Sequence, residues 1–308
     1  MSPRFLNRAV AAALSRGYGY EPNEAGTRYD NGGYYIDYRP KIESHLAHPE
    51  LALGAADTAQ LALGWHERAL LGDASAADEF SRLADGLARS GEAASEAAGD
   101  ALVWPYSVPL PKYAAPIPWY SAMAQGQIAS VFTRAFQLQS DARWADLARR
   151  ALAPVLTPGP HGFLTETPDG PVLEEVCPTA APSHILNGWI FALWGVRDVA
   201  LTLGDDDANR LLAETTDCLV RTLPRYDTGR WSRYSLYPHP RTDLAKPFYH
   251  RLHITQLSVL HALTGIAAFL EVAQRWRSYD TRWAATTSIA SKVPFVLANR
   301  AQQRRATR

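Results

Sequence analysis

Along the chain, apolar stretches long enough to form helices come in pairs, and a short polar break separates the two members of each pair. Leu51–Leu71 reads as a helix that stops at Gly72-Asp73, where Asp73 can cap a partner over Ala74–Arg89. The figure returns as Tyr120–Leu138 with Ala142–Val155 after a Ser140-Asp141 cap. It returns again as Ile185–Leu203 with Asp207–Leu223 after Gly204-Asp205, and as Leu252–Leu263 with Ile266–Tyr279 after Thr264-Gly265. A last helix is expected over 281–300. First helices therefore recur with a period of about 65–70 residues, which is the signature of stacked helix pairs. The first helices, Ile185–Leu203 above all, are the more apolar on every side and should line the inside. The connections between pairs are far longer than those of ordinary helical arrays, and long loops gathered at one end are where function sits. The expected class is all-α: an α/α toroid, that is, an incomplete barrel of helical hairpins, with short β-hairpins in its long loops.

Those loops are 93–118, rich in proline from Pro105 to Pro118, 156–182, with hairpin signals at His161-Gly162 and Asp169-Gly170, and 224–251. Ahead of the first pair, residues 1–16 read as a short helix. Residues 17–50 read as an irregular segment holding Tyr18, Tyr20, Tyr29, Tyr34, Tyr35 and Tyr38, with a turn at Asn31-Gly32-Gly33 and a short strand at Tyr34–Tyr38. Such tyrosines cover the end of a helical core more often than they pad a sugar cleft. The expected organisation is an N-terminal helix and aromatic loop (1–50) packed on the toroid (51–300), followed by a basic tail (301–308).

Composition narrows the class. The 308 residues carry 31 basic and 31 acidic side chains, a formal charge of zero, which disfavours a general nucleic-acid binder but leaves room for a local basic groove. No apolar run is long enough to cross a membrane, and the N-terminus looks more like an amphipathic helix than a secretion signal, so a cytoplasmic location is expected. Cys177 and Cys218 are too few for a disulfide framework, and whether they pair stays open.

Chemistry concentrates in the loops. Trp119-Tyr120 opens a helix carrying Gln125 and Gln127, a mixture of flat apolar faces and amide donors and acceptors that suits sugar rings, or else an aromatic staple at a packed helix start. The second loop brings Glu174-Glu175 and then Leu186-Asn187-Gly188. The third brings Tyr226-Asp227-Thr228-Gly229, Arg230, Arg233, Tyr234, Tyr237 and Lys246, followed by Tyr249-His250 and His253-Ile254-Thr255-Gln256. His250 and His253 lie three apart, on one face of a helix, but no third metal ligand is evident. They contact substrate or are satisfied core histidines.

Taken in order over residues 100–280, these stretches resemble the C-terminal catalytic domain of D-glucuronyl C5-epimerases, which turn D-glucuronate into L-iduronate in heparosan-type chains. The resemblance implies an α/α toroid, an acidic uronate polysaccharide as partner, and no redox cofactor or metal; a homodimer is the assembly to look for. Epimerisation removes the carbon-5 proton and returns one on the opposite face. It needs two acid/base groups and positive or hydrogen-bonding groups at the carboxylate. By resemblance, Tyr234 and Tyr249 are the opposed pair, with Glu175 a second proton carrier or the group that orients one. Trp119, Tyr120, Gln125, Asn187, Arg233, Tyr237, Lys246, His250 and His253 are expected to bind substrate. For a tyrosine to act as base, the basic residues of the third loop would have to lower its pKa. The sequence departs from the family at the chemistry. Val176-Cys177 follows the glutamates where a tyrosine is expected, and Tyr234-Ser235-Leu236-Tyr237-Pro238-His239 stands for Tyr-Asp-Leu-Arg-His. Lys246-Pro247-Phe248 stands for Arg-Trp-Asp. Tyr237, His239 or Arg233 would then replace the missing arginine. A polysaccharide lyase, a glycoside hydrolase using Glu174-Glu175 and a non-catalytic sugar binder are the other readings.

Overall fold

The structure, a computed structural model, describes residues 33–49, 52–94, 100–159 and 162–306. The expected helix over 1–16, the turn at Asn31-Gly32, the first three loop tyrosines and His161 lie outside these residues.

Four helical hairpins make the body: α2 (Ala55–Leu70) with α3 (Ala74–Ser90), α4 (Ala122–Gln139) with α5 (Ala142–Leu156), α6 (Leu186–Leu203) with α7 (Asp206–Thr222), and α8 (Pro247–Thr264) with α9 (Ala267–Tyr279). The first helix of each pair packs on the first helices of its neighbours, α2 on α4, α4 on α6 and α6 on α8. Each second helix lies outside its own partner. This is the α/α toroid, left incomplete as an arc. Burial follows the sequence pattern. Fourteen of the eighteen residues of α6 are buried, whereas α7 buries one stripe, Ala208, Leu211, Thr215, Leu219 and Thr222. The inner helices touch backbone to backbone. A Cβ at Gly195 of α6 would stand 2.2 Å from the Gly126 carbonyl oxygen of α4, and a Cβ at Gly126 would stand 2.8 Å from Ala192 Cα.

Caps close the hairpins as their sequences direct, with one exception. Asp141 Oδ1 accepts from the Arg143 N–H at 2.9 Å and Asp205 Oδ1 from Ala208 at 3.0 Å. Asp73 occupies the cap position of α3 without using its side chain there; its carboxylate takes Arg68 at 2.6 Å and the Ser75 hydroxyl at 2.7 Å instead.

Three elements differ from the sequence reading. Arg39–Ala47, expected to be irregular, is helix α1, with Pro40 in its first turn. Its apolar content is too sparse to show a period, and tertiary contacts hold it: Lys41 is buried and its ammonium meets Asp57 at 2.7 Å and Gln60 at 2.7 Å. Helix α8 begins five residues before the expected Leu252, because Pro247 opens the helix rather than ending the loop. Of the predicted strand at Tyr34–Tyr38 only a single bridge residue, Ile36, is present among the described residues. These tyrosines lie buried against inner helices, Tyr35 on Trp194 with ring centroids 4.9 Å apart, its hydroxyl donating to Asp198 at 2.6 Å. Arg134 meets the same Asp198 at 2.6 Å. The tyrosines of this segment thus seal the core at the C-terminal halves of the inner helices. The predicted hairpin at Asp169-Gly170 is β3 (Leu164–Thr167) against β4 (Gly170–Leu173), and a shorter one pairs β1 (Glu92–Ala93) with β2 (Leu102–Val103). The last helix, α10 (Arg282–Ala306), runs through most of the expected tail.

Candidate active site

The long loops meet at the N-terminal ends of the inner helices, where single β-bridges tie one loop to the next, Tyr120 to Cys177 and Ile185 to Ser235, and brace two of them internally, Tyr106 to Trp119 and Arg233 to Leu244. Under them lies a small apolar cluster of its own, Tyr113, Trp119, Val176 and Ile185. Trp119 stacks on Tyr106 with centroids 4.3 Å apart and 12° between the planes, and its indole N–H donates to Val108 O at 2.8 Å. The Tyr106 hydroxyl in turn accepts the Ala56 N–H at the start of α2. A segment with so many prolines has few backbone donors to pair, so these side-chain ties hold its shape.

Glu175 is the centre of the arrangement. It is half-buried over the first turn of α6, where the Gly188 N–H donates to it and the Asn187 amide approaches its Oε2 at 3.4 Å. Only glycine allows this approach, since a Cβ at position 188 would lie 2.0 Å from Glu175 Oε2. Burial pushes the Glu175 carboxyl up to about 7, against the pull of Lys112 and the Gly188 N–H. Its neighbour Glu174 does other work. Burial would raise that carboxyl, but His184 (Nδ1 to Oε1, 2.7 Å) and the Ser183 hydroxyl (2.7 Å) outweigh it and hold it below the usual range. The two adjacent glutamates are therefore one acid near neutrality and one fixed anion.

Around Glu175 stand Tyr234, Tyr113 and Lys112, each within reach of its charge, with Tyr249 against Tyr234. The rings of Tyr234 and Tyr249 meet edge to face at 4.8 Å, forming a single wall. Lys112 Nζ lies 4.3 Å over the Tyr234 ring and 4.9 Å over that of Tyr113. It meets Asp243 Oδ2 at 2.6 Å, while Lys292 takes Oδ1 at 2.7 Å. Burial lowers the Lys112 ammonium, and Asp243 opposes that shift. Burial raises the Tyr234 phenol well above its ordinary value, and the charges of Glu175 and Asp243 push the same way. The expected lowering of a tyrosine by the basic third loop is thus reversed, because those basic groups face elsewhere. Arg230 and Lys246 are exposed, and Arg251 is ion-paired with Asp280 at 2.7 Å.

The sequence-derived binders divide. Asn187, Trp119 and Tyr237 belong to this neighbourhood, Tyr237 standing against Tyr113 with centroids 5.3 Å apart. Tyr120 stacks on Phe163, and the backbone of Arg233 pairs with Leu244, one residue from Tyr234. Gln125 is committed to the fold. It is buried, and its amide donates to Leu102 O at 2.8 Å and Ala151 O at 2.6 Å. His250 and His253 are buried core histidines. His250 Nε2 donates to Trp276 O at 3.0 Å, so its Nδ1 accepts, facing the Ser232 hydroxyl at 2.8 Å; His253 Nδ1 meets the same hydroxyl at 3.1 Å. His250 also stacks on Trp231 at 3.8 Å. Burial lowers His250 to about 4 and holds His253 well below its ordinary value. Of the two readings left open for this pair, the geometry matches the core one.

Sequence reasoning missed Lys112, Tyr113, Asp243 and Lys292. The one available signal was Pro111-Lys112-Tyr113 in the proline-rich run before Trp119, which folds as a short 3-10 turn and aims both side chains at the centre. Among the described residues no group of three or more His, Cys, Asp or Glu could hold a metal ion, and no helix is long and apolar enough to cross a membrane. Cys177 and Cys218 are both free and buried.

Comparison with known proteins covers the stretch of chain that bears these loops. The family model for the D-glucuronyl C5-epimerase C-terminus matches residues 98–278, which include every residue named around Glu175 except Lys292. A D-glucuronyl C5-epimerase of Caenorhabditis elegans is 30% identical over 183 residues, 54% of this chain and 30% of that protein. An uncharacterised protein of Methanocaldococcus jannaschii is 26% identical over 181 residues, 57% of each chain. The chain thus spans well under two thirds of the length of these relatives. Among solved structures, cellobiose 2-epimerase from Bacillus thermoamylovorans superposes with a TM-score of 0.55 at 10% identity, covering 73% of this chain and 59% of that one. A Listeria innocua protein does so at 0.50 and 9%, covering 89% and 69%. At such identities these two likenesses speak for the toroid alone. With the family model matching more than half of the chain over its site-bearing loops, the protein belongs to the D-glucuronyl C5-epimerase C-terminal family.

Proposed function

We propose that the protein is a carbohydrate epimerase acting on uronate residues of an acidic polysaccharide, converting D-glucuronate to L-iduronate by proton exchange at carbon 5. The observation that carries this reading is Glu175, a carboxyl raised to about 7 beside a lysine and two tyrosines. A base poised near neutrality is what abstraction next to a carboxylate requires. In this mechanism Glu175, ionised, takes the carbon-5 proton, and the electron pair of the C–H bond passes into the substrate carboxylate as an enediolate. The Lys112 ammonium faces that growing negative charge and takes the role of the arginine absent from the Tyr234–His239 stretch. The proton returned to the opposite face comes from a phenol of the Tyr234–Tyr249 wall. A phenol whose pKa is raised keeps its proton near pH 7, so it serves as the donor and Glu175 as the acceptor. Glu175 then releases to solvent the proton it took and the tyrosinate takes one up, so both groups return to their starting states. The tyrosines therefore act together on one side, and Glu175, third in the sequence reading, acts on the other. The route uses no redox step.

Incubation with heparosan in deuterated buffer, followed by proton NMR, tests the proposal. Loss of the glucuronate carbon-5 signal with new iduronate signals is the expected outcome. A product absorbing in the ultraviolet would mean elimination across carbons 4 and 5, and would move the protein to the lyase reading. Tyr249→Phe should lower turnover by about 10²–10⁴ with little loss of stability; full activity in that variant would remove Tyr249 from the mechanism.

A further inference from the structure

Beside the catalytic loops, a cavity of about 630 Å³ opens between the 228–230 turn, the 240–244 loop and helix α10. Its wall carries Arg230 and Arg241, both exposed, together with Thr228, Thr242 and Ser291, and no carboxylate lines it. Neither guanidinium is ion-paired among the described residues, whereas Arg68, Arg134, Arg149, Arg251 and Arg275 each hold an aspartate. A second groove of the same volume, at α2 and α3, sets Glu92 beside Arg82 and Arg89 and has no such charge bias. The cavity is also joined to the reaction centre. Leu244, on its wall, pairs with Arg233, and the Tyr234 N–H donates to Asp243 O between Thr242 and Leu244. One or two residues of extended chain, about 3–7 Å, therefore separate the wall from the Tyr234 backbone. The volume falls in the range of small-ligand sites, and guanidinium forks match the planar oxygens of carboxylate and sulfate.

We propose that this cavity is an anion subsite, in which Arg230 and Arg241 hold the carboxylate or sulfate ester of the sugar adjoining the one that reacts at Glu175. The inference rests on the reading of the protein as a uronate-polysaccharide epimerase, and the test separates the two. Binding of heparosan, heparin and neutral dextran is measured by isothermal titration calorimetry for the wild type, the Arg230→Ala/Arg241→Ala double variant and an Arg230→Lys/Arg241→Lys double variant. Far-UV circular dichroism checks the fold of each. The alanine variant should lose tenfold or more in affinity for acidic polymers and show a shallower salt dependence, with the lysine variant intermediate. Loss on both polymers identifies the carboxylate as the ligand group, and loss on heparin alone identifies the sulfate. Equal affinity of the wild type and the alanine variant overturns the subsite. If carbon-5 exchange on heparosan persists in the wild type alongside that equality, the subsite falls and the epimerase reading stands. If the wild type neither exchanges nor binds any uronate polymer, both fall together.

Discussion

Glu175 owes its properties to two neighbours on α6, a glycine that leaves room for it and an asparagine that reaches it. Its raised pKa has a cost in stability. Between the ordinary carboxyl value near 4.5 and about 7, the folded protein binds a proton that the unfolded chain has released, so stability falls as pH rises through that window. Glu175→Gln should therefore abolish exchange and yet raise stability at pH 8, by on the order of 1–3 kcal/mol, with little gain at pH 4. Denaturant melts at the two pH values check this. Lys112 lowers the same carboxyl, so Lys112→Gln should move the rising limb of the pH–rate profile to higher pH, besides slowing turnover. A limb left in place would show that Lys112 does not face Glu175. The sequence revealed Glu175 but not its setting, because burial and the approach of Gly188 come from a loop folding back over helix α6, far along the chain from Lys112.

At the scale of elements, helical hairpins were legible and irregular segments were not. Inner and outer helices announce themselves by how far round they are apolar, and aspartates mark where the second helix of a pair begins. Helix α1 carries too few apolar positions to show a period, and the start of α8 was hidden inside a segment read as irregular through residue 251. That misplacement matters, because Tyr249, His250 and His253 lie on consecutive turns of one helix, and their side chains are shared between the site and the core. The two histidines stay neutral in the fold with values well below that of the unfolded chain. Their contribution is complete above about 6.5 and declines as pH falls toward 4. In a Glu175→Gln background, where the opposing carboxyl is silent, the urea midpoint should be lower at pH 5 than at pH 7. The α4–α6 contact is equally specific. Gly195→Ala places a methyl against the Gly126 carbonyl and should cost about 1–3 kcal/mol or more through helix displacement, read as a fall in midpoint at unchanged slope.

Across the whole molecule, the core is closed on one side by tyrosines and by a buried ion pair, and on the other by the loops of the candidate site. Arg134 meets Asp198 at 2.6 Å with both side chains nearly inaccessible. Asp198→Ala leaves a buried guanidinium without its partner and should destabilise by about 3–5 kcal/mol, while the site at the far ends of the helices keeps its geometry in whatever fraction remains folded. Residual activity per folded molecule, measured against circular dichroism, checks this separation. The sequence carried no sign of that pair, since Arg134 and Asp198 are 64 residues apart and each looks like an ordinary solvated charge in its own helix.

The bridges that stitch the loops together also set an order of events in time. Each hairpin is local and can form early, but the loops bearing Lys112, Glu175 and Tyr234 meet only after separate hairpins have docked, with contacts such as Tyr120 to Cys177 joining residues 57 apart. Local contacts close fast and distant ones slowly. Refolding from urea should therefore restore the helical signal first and turnover later, with a population of helical, inactive chains in between.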